Sequence, residues 1–174
     1  MTKSFLTMIT KDPRYYSAIV EDRYDPLRNW SVIGNGYMLV RKENAGLFTD
    51  AKSPDEAKKL TKYFEKLLDR AEHNVLVPTK KDVTDWLKEY KNTKDSFGHI
   101  RFHLAVSNGR SSWTTDVDAK QLKEVLGCFD RYDEIHMGNE GPLQPIIIWN
   151  SDFRTEALIM PIRPMEERKD DATV

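Results

Sequence analysis

Few side chains in this sequence are of a type and spacing that could carry out chemistry. His99 and His103 stand four positions apart and would share one face of a strand, but no glutamate follows in the helical pattern of a metal site. We therefore interpret them as ordinary sheet or surface histidines. Cys128 lies between Leu126 and Phe129, which favours a buried packing role over a nucleophile. The sequence predicts no metal, no cofactor and no catalytic residue.

Phosphate binding and acid–base catalysis are not indicated either. Gly34, Asn35 and Gly36 permit a tight reversal, but they lack the spacing and the lysine of a phosphate-binding loop. Carboxylates are abundant, yet none is paired inside an apolar run, where a raised pKa would be expected. An enzyme is thus a weak interpretation of this sequence, because catalysis would need a cleft of titratable groups that the sequence does not display.

Composition sets limits on the class of protein. A chain of 174 residues with 39% hydrophobic and 32% charged residues is typical of a soluble globular protein of about one domain. Its 27 basic and 28 acidic residues give a net charge of -1, so any DNA contact requires lysines segregated onto one face. The lone cysteine and the lack of a signal peptide or membrane-spanning stretch favour the reducing cytoplasm.

Strand and helix signals alternate along the chain. Helices are predicted to begin at the N-caps Ser53, Thr79 and Asp118, each followed by apolar residues at helical spacing. Strands are predicted over 5–9, 15–20, 30–33, 37–41, 73–77, 100–106, 112–115, 134–137, 145–149 and 153–162. Blocks of antiparallel strands separated by single amphipathic helices predict an α+β fold with the helices packed on one side of the sheets.

The last apolar run is interrupted by Pro161, which cannot donate a hydrogen bond to a sheet, so the strand must be an edge or must end there. Apolar side chains and open carbonyl groups would then face outward together, a surface that suits a peptide groove. The alternative is a final core strand followed by a frayed end. Residues 165–174 are polar, and we predict that they form a disordered tail.

Three separated stretches resemble the bacterial DNA polymerase III β sliding clamp family. The first stretch comprises Arg14-Tyr15-Tyr16 and the run Ser31-Val32-Ile33-Gly34-Asn35-Gly36-Tyr37-Met38-Leu39-Val40. The second stretch is His73-Asn74-Val75-Leu76-Val77-Pro78-Thr79-Lys80-Lys81, followed by the helix that contains Val83. The third stretch runs from Val117 through Met137 and ends in Ile159-Met160-Pro161-Ile162-Arg163. That ending is similar to the family's C-terminal methionine-proline-methionine-arginine. The matches occur in the family's order and cover roughly half of the chain.

The resemblance implies a DNA-clamp-like α+β domain over residues 1–164, which could divide into half-units of about 1–72 and 73–164. It also implies a non-catalytic role in DNA replication, because the family uses these segments to capture short linear motifs of polymerases and repair proteins. Carried over by position, the cleft residues are Gly36, Tyr37, Leu39, Pro78, Val83, Met160, Pro161, Ile162 and Arg163. The apolar members would form an adaptable pocket with Arg163 at its charged rim.

A role on DNA is the further implication. Lysines expected to contact the phosphates of double-stranded DNA without sequence specificity are Lys58, Lys59, Lys62, Lys80, Lys81, Lys88, Lys120 and Lys123. Family members carry three similar domains per chain and close a ring from two chains, whereas this sequence has material for little more than one, so a ring would need more copies, as a homo-oligomer, or a partner. The alternative is a clamp mimic or adaptor that binds replication proteins without encircling DNA.

The sequence also departs from the family at two places. Tyr37 and Met38 replace a histidine-arginine pair, which would alter ligand preference. The helix predicted after Ser53 falls where the family has only a connecting loop. Neither departure removes the apolar ending on which the cleft hypothesis depends.

Overall fold

Eight strands and three helices make up the part of the chain that the computed structural model describes, residues 15–43, 54–70 and 72–163. The strands are β1 (Tyr16–Glu21), β2 (Asn29–Gly34), β3 (Met38–Glu43), β4 (Arg101–Ser107), β5 (Ser112–Asp118), β6 (Ile135–Gly138), β7 (Ile146–Asn150) and β8 (Thr155–Ile159). The helices are α1 (Pro54–Leu68), α2 (Lys80–Glu89) and α3 (Ala119–Leu126). The predicted strand over 5–9 and the predicted tail over 165–174 lie outside the described residues.

The strands form two antiparallel sheets. Six of them make one sheet in the order β1-β2-β3-β8-β7-β6, and β4 and β5 form a separate hairpin. The last strand thus lies in the middle of the large sheet, where Met38 pairs with Ile159 and Leu39 with Leu158. Strands from both predicted half-units therefore share one sheet.

Alternation along these strands produces a separate core on each face of the large sheet. One face carries Ile33, Val40 and Ile159, which join the inward residues of β4, β5, α2 and α3; we call this the large core. The other face carries Val32, Leu39, Leu158 and their neighbours, which pack against Phe64 and other residues of α1; we call this the small core.

The antiparallel α+β class is confirmed, but the expectation that all helices pack on one side does not hold for the large sheet. Because α1 covers the small core while α2 and α3 belong to the large core, the helices lie on opposite faces. The sequence shows which side of each helix is apolar, but it does not show which face of the sheet that side will cover.

Two connecting segments link the hairpin to the large sheet through hydrogen bonds, one at Val75 and Leu76 and the other after β8. Near β6, the amide of Val75 donates to the carbonyl of Met137 at 3.2 Å, and the amide of Leu76 donates to Ala105 at 3.1 Å. Beyond β8, the amide of Ile162 donates to the carbonyl of Asp116 at 2.7 Å. These bonds hold the two sheets around the large core.

Helix and turn signals from the sequence are confirmed where the structure describes them. Thr79 and Asp82 form a reciprocal capping box at the start of α2, and the Asp118 carboxylate accepts hydrogen bonds from the amides of Lys120 and Gln121 at the start of α3. Gly109 has a φ of 80°, as the turn between β4 and β5 requires. Ser53 lies outside the described residues, so its cap on α1 stays a prediction.

Most strand bounds agree with the prediction within two residues, but three of the predicted strands differ by more than that. The expected strand over 73–77 is only an isolated bridge between Val75 and Val106, because this segment bonds β6 on one side and β4 on the other for about one residue each. β5 runs to Asp118 rather than ending at 115. β8 begins at Thr155, since the Asn150 side chain accepts from the amides of Arg154 and Thr155 and closes a turn there. It ends at Ile159, before Pro161, although the predicted span 153–162 ran past the proline; of the two alternatives given for Pro161, an edge strand or a strand end, the structure shows the strand end.

Candidate functional site

The segment Met160–Arg163 crosses from the large sheet to the β4–β5 hairpin, and it is the centre of the candidate site. The amide of Met160 donates to the carbonyl of Tyr37 at 2.7 Å, after which Pro161 interrupts the hydrogen bonding. The amide of Ile162 then bonds Asp116, and the Arg101 guanidinium donates to the carbonyl of Arg163 at 3.1 Å. Met160, Pro161 and Ile162 are half-buried and Arg163 is exposed, so their side chains border solvent.

A tight turn between β2 and β3 places Tyr37 beside this segment. The side-chain oxygen of Asn35 accepts hydrogen bonds from the amides of Tyr37 and Met38, both at 3.1 Å. Gly36 has a φ of 83°, a conformation that favours glycine. Tyr37 is consequently 59% exposed next to the backbone of Met160.

Leu39 lies below the surface at this place rather than on it. It is 2% exposed in the small core, and Met160 packs against the same core as a partly buried neighbour. The structure therefore brings Gly36, Tyr37, Leu39 and the segment Met160–Arg163 into one region, with Leu39 beneath the others.

The remaining two cleft predictions, Pro78 and Val83, fall elsewhere. Val83 is fully buried in the large core, so the six-stranded sheet lies between it and Leu39. Pro78 is half-buried at the start of α2, where it lines a cavity of about 690 Å³ together with Leu126, Phe129 and Ile135. The sequence suggested that Leu39, Val83 and Met160 lie side by side in a single pocket. In the structure these three residues do not line one pocket.

The predicted DNA-facing lysines divide into two groups. Lys58, Lys59 and Lys62 are exposed on α1, which covers the small core. The others lie on α2 and α3 at the large core, where Lys80, Lys81, Lys88 and Lys120 are exposed and Lys123 is half-buried. The eight lysines therefore do not make one continuous face of the molecule.

Carboxylates offset part of the positive charge on α2. Asp85 accepts from Lys81 at 2.6 Å and from Lys88 at 3.2 Å, and these two bonds lower the pKa of its carboxyl. The bond to Asp85 also raises the pKa of Lys81. Such exposed pairs contribute little to stability, but they reduce the charge that α2 presents to a polyanion.

The cluster of Glu134, His136 and Ser151 does not have the geometry of a catalytic triad. Ser151 Oγ lies 2.7 Å from His136 Nε2 and donates to Glu134 at 2.9 Å, so the carboxylate binds the serine rather than orienting the histidine. Across the three described ranges, no group of three or more histidine, cysteine or acidic side chains could hold a metal ion.

The predicted histidine pair does not converge on a common point. His103 Nδ1 lies 2.6 Å from Asp116, whereas His99 lies 3.4 Å from Asp95. Asp95 also accepts from the amides of Phe97 and His99; although burial opposes the shift, these bonds leave the pKa of its carboxyl lowered. Both carboxylates therefore have structural partners near the hairpin.

Sequence reasoning missed the residues that hold the end of the site. Arg101 and Asp116 belong to the hairpin, and they bind each other at 3.3 Å while each also contacts the segment Met160–Arg163. No local signal marks them, because the contacts join positions about 60 residues apart in one case and about 45 in the other. In the described residues, no helix is both long enough and apolar enough to span a membrane.

Together, the antiparallel sheets, the bonded hairpin and the amphipathic helices define a clamp-like α+β fold. No family model matches the sequence, and no curated protein is significantly similar to it. Comparison with solved structures finds DNA polymerase III subunit beta from Borrelia burgdorferi, solved in complex with a natural product, at a TM-score of 0.55 and 10% identity over 92% of this chain and 60% of that chain. This chain thus has the fold of a bacterial β sliding clamp, and the resemblance inferred from the sequence is confirmed at the level of fold.

A second sliding clamp gives a weaker match. It is the DnaN sliding clamp from Bartonella birtlesii bound to griselimycin, with a TM-score of 0.46 and 13% identity over 86% of this chain and 57% of that one. The fold assignment rests on the Borrelia protein alone. This chain spans about three-fifths of the length of these two proteins.

Proposed function

We propose that this chain is a non-catalytic, clamp-like binding protein that captures short linear motifs of DNA polymerases and repair proteins. The observation that carries the proposal is the course of Met160–Arg163, which leaves the sheet at Pro161 and ends against the hairpin with its side chains bordering solvent. The neighbouring side chains of Met160, Pro161 and Ile162 are all apolar, and the methionine is flexible, so they suit an adaptable apolar peptide site.

The chemistry of the site favours a peptide with an apolar anchor. A leucine or phenylalanine side chain buried against Met160 and Ile162 would gain about 1.5–3 kcal/mol. Tyr37 offers an aromatic wall, and the exposed Arg163 offers a charged rim. We expect a dissociation constant near micromolar for such a complex, which corresponds to a binding free energy of about −8 kcal/mol.

The other predicted cleft residues support this site in the proposal without touching the peptide directly. Leu39 forms the floor beneath Met160, and Gly36 allows the turn that presents Tyr37. Val83 would act by holding α2 in the large core, and Pro78 by shaping the approach to that helix.

The proposal is tested by titrating a fluorescent peptide that carries a bacterial clamp-binding motif. We expect Met160→Ala to weaken binding about tenfold, because it removes apolar contact area worth about 1.4 kcal/mol. Leu143→Ala is the matched control: it also truncates a partly exposed apolar side chain, in the loop between β6 and β7, and it should leave affinity unchanged. Equal affinity of Met160→Ala and wild type, or no binding by the wild type, would overturn the proposal.

A more specific proposal is that copies of this chain encircle DNA. The competing proposal is that the chain is an adaptor that binds replication proteins without encircling DNA. Favouring the adaptor are the net charge of -1, the division of the lysines between two faces and the pairing of Lys81 and Lys88 with Asp85. Mass in solution helps to separate the two, since a stable monomer at high concentration would count against a ring made of copies of this chain. In either case the proposed site of action is the cytoplasm.

A further inference from the structure

A groove runs between the last three residues of β1 and the middle of α1, and the proposed linear-motif site does not use it, although two of its lysines, Lys58 and Lys62, are among those considered for DNA contact. Its volume is about 690 Å³. β1 is the outer strand of the large sheet, with β2 as its one strand neighbour among the described strands. We call this feature the α1–β1 groove.

Its walls carry an excess of positive charge. Arg23, Lys58, Lys62 and Lys66 line the groove, and the three lysines are exposed on consecutive turns of α1. Two carboxylates also line it. Glu65 is bonded at 3.0 Å to the buried guanidinium of Arg41, which also binds the buried Glu156, so its charge is partly compensated. Four cations thus line the groove against the two carboxylates of Glu21 and Glu65.

The groove also has an apolar element along the strand. Ile19 is 38% exposed, and by strand alternation its side chain lies on the face opposite that of Val20, which is half-buried against the small core beneath α1. An exposed isoleucine on an outer strand beside a helix is a surface on which an extended peptide can lie, with its backbone along the strand and alternate side chains toward the helix.

We propose that the α1–β1 groove binds an extended acidic peptide of a partner protein along the outer edge of β1, with its carboxylates toward the lysines of α1 and its alternate, apolar side chains on the other face, beside Ile19. Duplex DNA fits this groove less well, because the DNA backbone offers no apolar side chains and Glu21 would oppose its phosphates. The groove uses the outer strand of the sheet, whereas the proposed cleft uses β3 and the residues after β8 in its middle. The two sites can therefore be tested separately.

The experiment measures binding of a short fluorescent peptide in which glutamate and valine alternate. Lys62→Glu should weaken binding about tenfold, because it replaces a favourable charge with a repulsive one inside the groove. Lys59→Glu is the matched control, since it makes the same charge change on the same exposed helix but outside the groove, and it should change affinity less than about twofold.

The comparison of Lys62→Glu with Lys59→Glu either supports or overturns peptide binding in the α1–β1 groove. A selective loss for Lys62→Glu supports the groove, whereas equal loss in both variants, or no binding by the wild type, overturns it. A short DNA duplex added as competitor should not displace the peptide, and displacement would contradict the choice of an acidic peptide. A peptide N-methylated at alternate residues should bind about tenfold more weakly if it pairs with β1, and undiminished binding would contradict its placement along the strand.

Discussion

The position of Met160 is set by its backbone neighbours, and part of this was predictable from the sequence. Pro161 cannot continue a sheet, so the end of the strand and the outward turn of the chain follow from one residue type. Gly36 at positive φ was likewise predictable from the glycine-asparagine-glycine turn. In contrast, helical periodicity could not predict that Val83 is buried in the large core. Periodicity identifies the apolar face of a helix, but not the element against which that face packs.

Cys128 provides a prediction at the residue scale. The side chain is fully buried, and burial raises the pKa of its thiol to about 12 from an ordinary value of 9.0. Above pH 9 the unfolded chain loses this proton while the native protein keeps it, so the free energy of unfolding must fall as the pH rises. Between pH 9 and pH 10 this thiol should lower the free energy of unfolding by about 1 kcal/mol.

The measurement is urea unfolding at both pH values for wild type and Cys128→Ala. The variant lacks the thiol, so its free energy of unfolding should fall by about 1 kcal/mol less over the same interval. A pH dependence identical in the two proteins would show that the thiol ionises as easily in the native state as in the unfolded one.

Among the elements, α1 is the one for which the sequence predicted the existence but not the position. Its helical spacing was clear, yet its packing on the face opposite α2 and α3 depends on a buried cluster that spans distant parts of the chain. Arg41 binds both Glu156 and Glu65, and its guanidinium lies 4.9 Å from the centre of the Phe64 ring. Burial of Glu156 raises the pKa of its carboxyl, and Arg41 opposes that rise. Such a cluster leaves no local pattern in the sequence.

Phe64 should therefore be essential to the stability of this element. It is fully buried in the small core, and Phe64→Ala should reduce the free energy of unfolding by about 3–5 kcal/mol through lost apolar burial and a residual cavity. Its neighbour Tyr63 is 44% exposed, so Tyr63→Ala should cost less than about 1 kcal/mol. Equal effects of the two substitutions in chemical denaturation would mean that α1 is not packed as the structure describes.

The segment 73–77 illustrates the opposite error at the element scale. A run of apolar residues ended by proline predicted a strand, but the segment makes only an isolated bridge because its amides are divided between two different neighbours, β6 and β4. Strand signals report side-chain preference, whereas a strand also needs a partner that is parallel or antiparallel over several residues. The caps of α2 and α3 were predicted correctly because capping is local.

For the whole molecule, the class of fold was predictable and the arrangement around the site was only partly so. The order of helices and strands, together with three short resemblances, indicated a clamp-like α+β fold that the Borrelia structure confirms. The sharing of one sheet by strands from both ends of the chain, and the bond from Ile162 to Asp116, arise only when the distant segments meet. The first of these pairings sets β3 beside β8 and so creates the region in which Tyr37 and Met160 lie together.

The central claim, that a linear motif binds at Met160, is tested most directly by NMR of protein labelled at the methionine methyl groups. Met160 is partly exposed at the proposed cleft, whereas Met137 in β6 is buried at 0% exposure and serves as the internal control. On addition of the clamp-binding peptide, we predict that the Met160 methyl signal shifts and shows contacts to the apolar anchor of the peptide, while the Met137 signal stays in place. A bound peptide that leaves the Met160 signal unmoved would contradict the account.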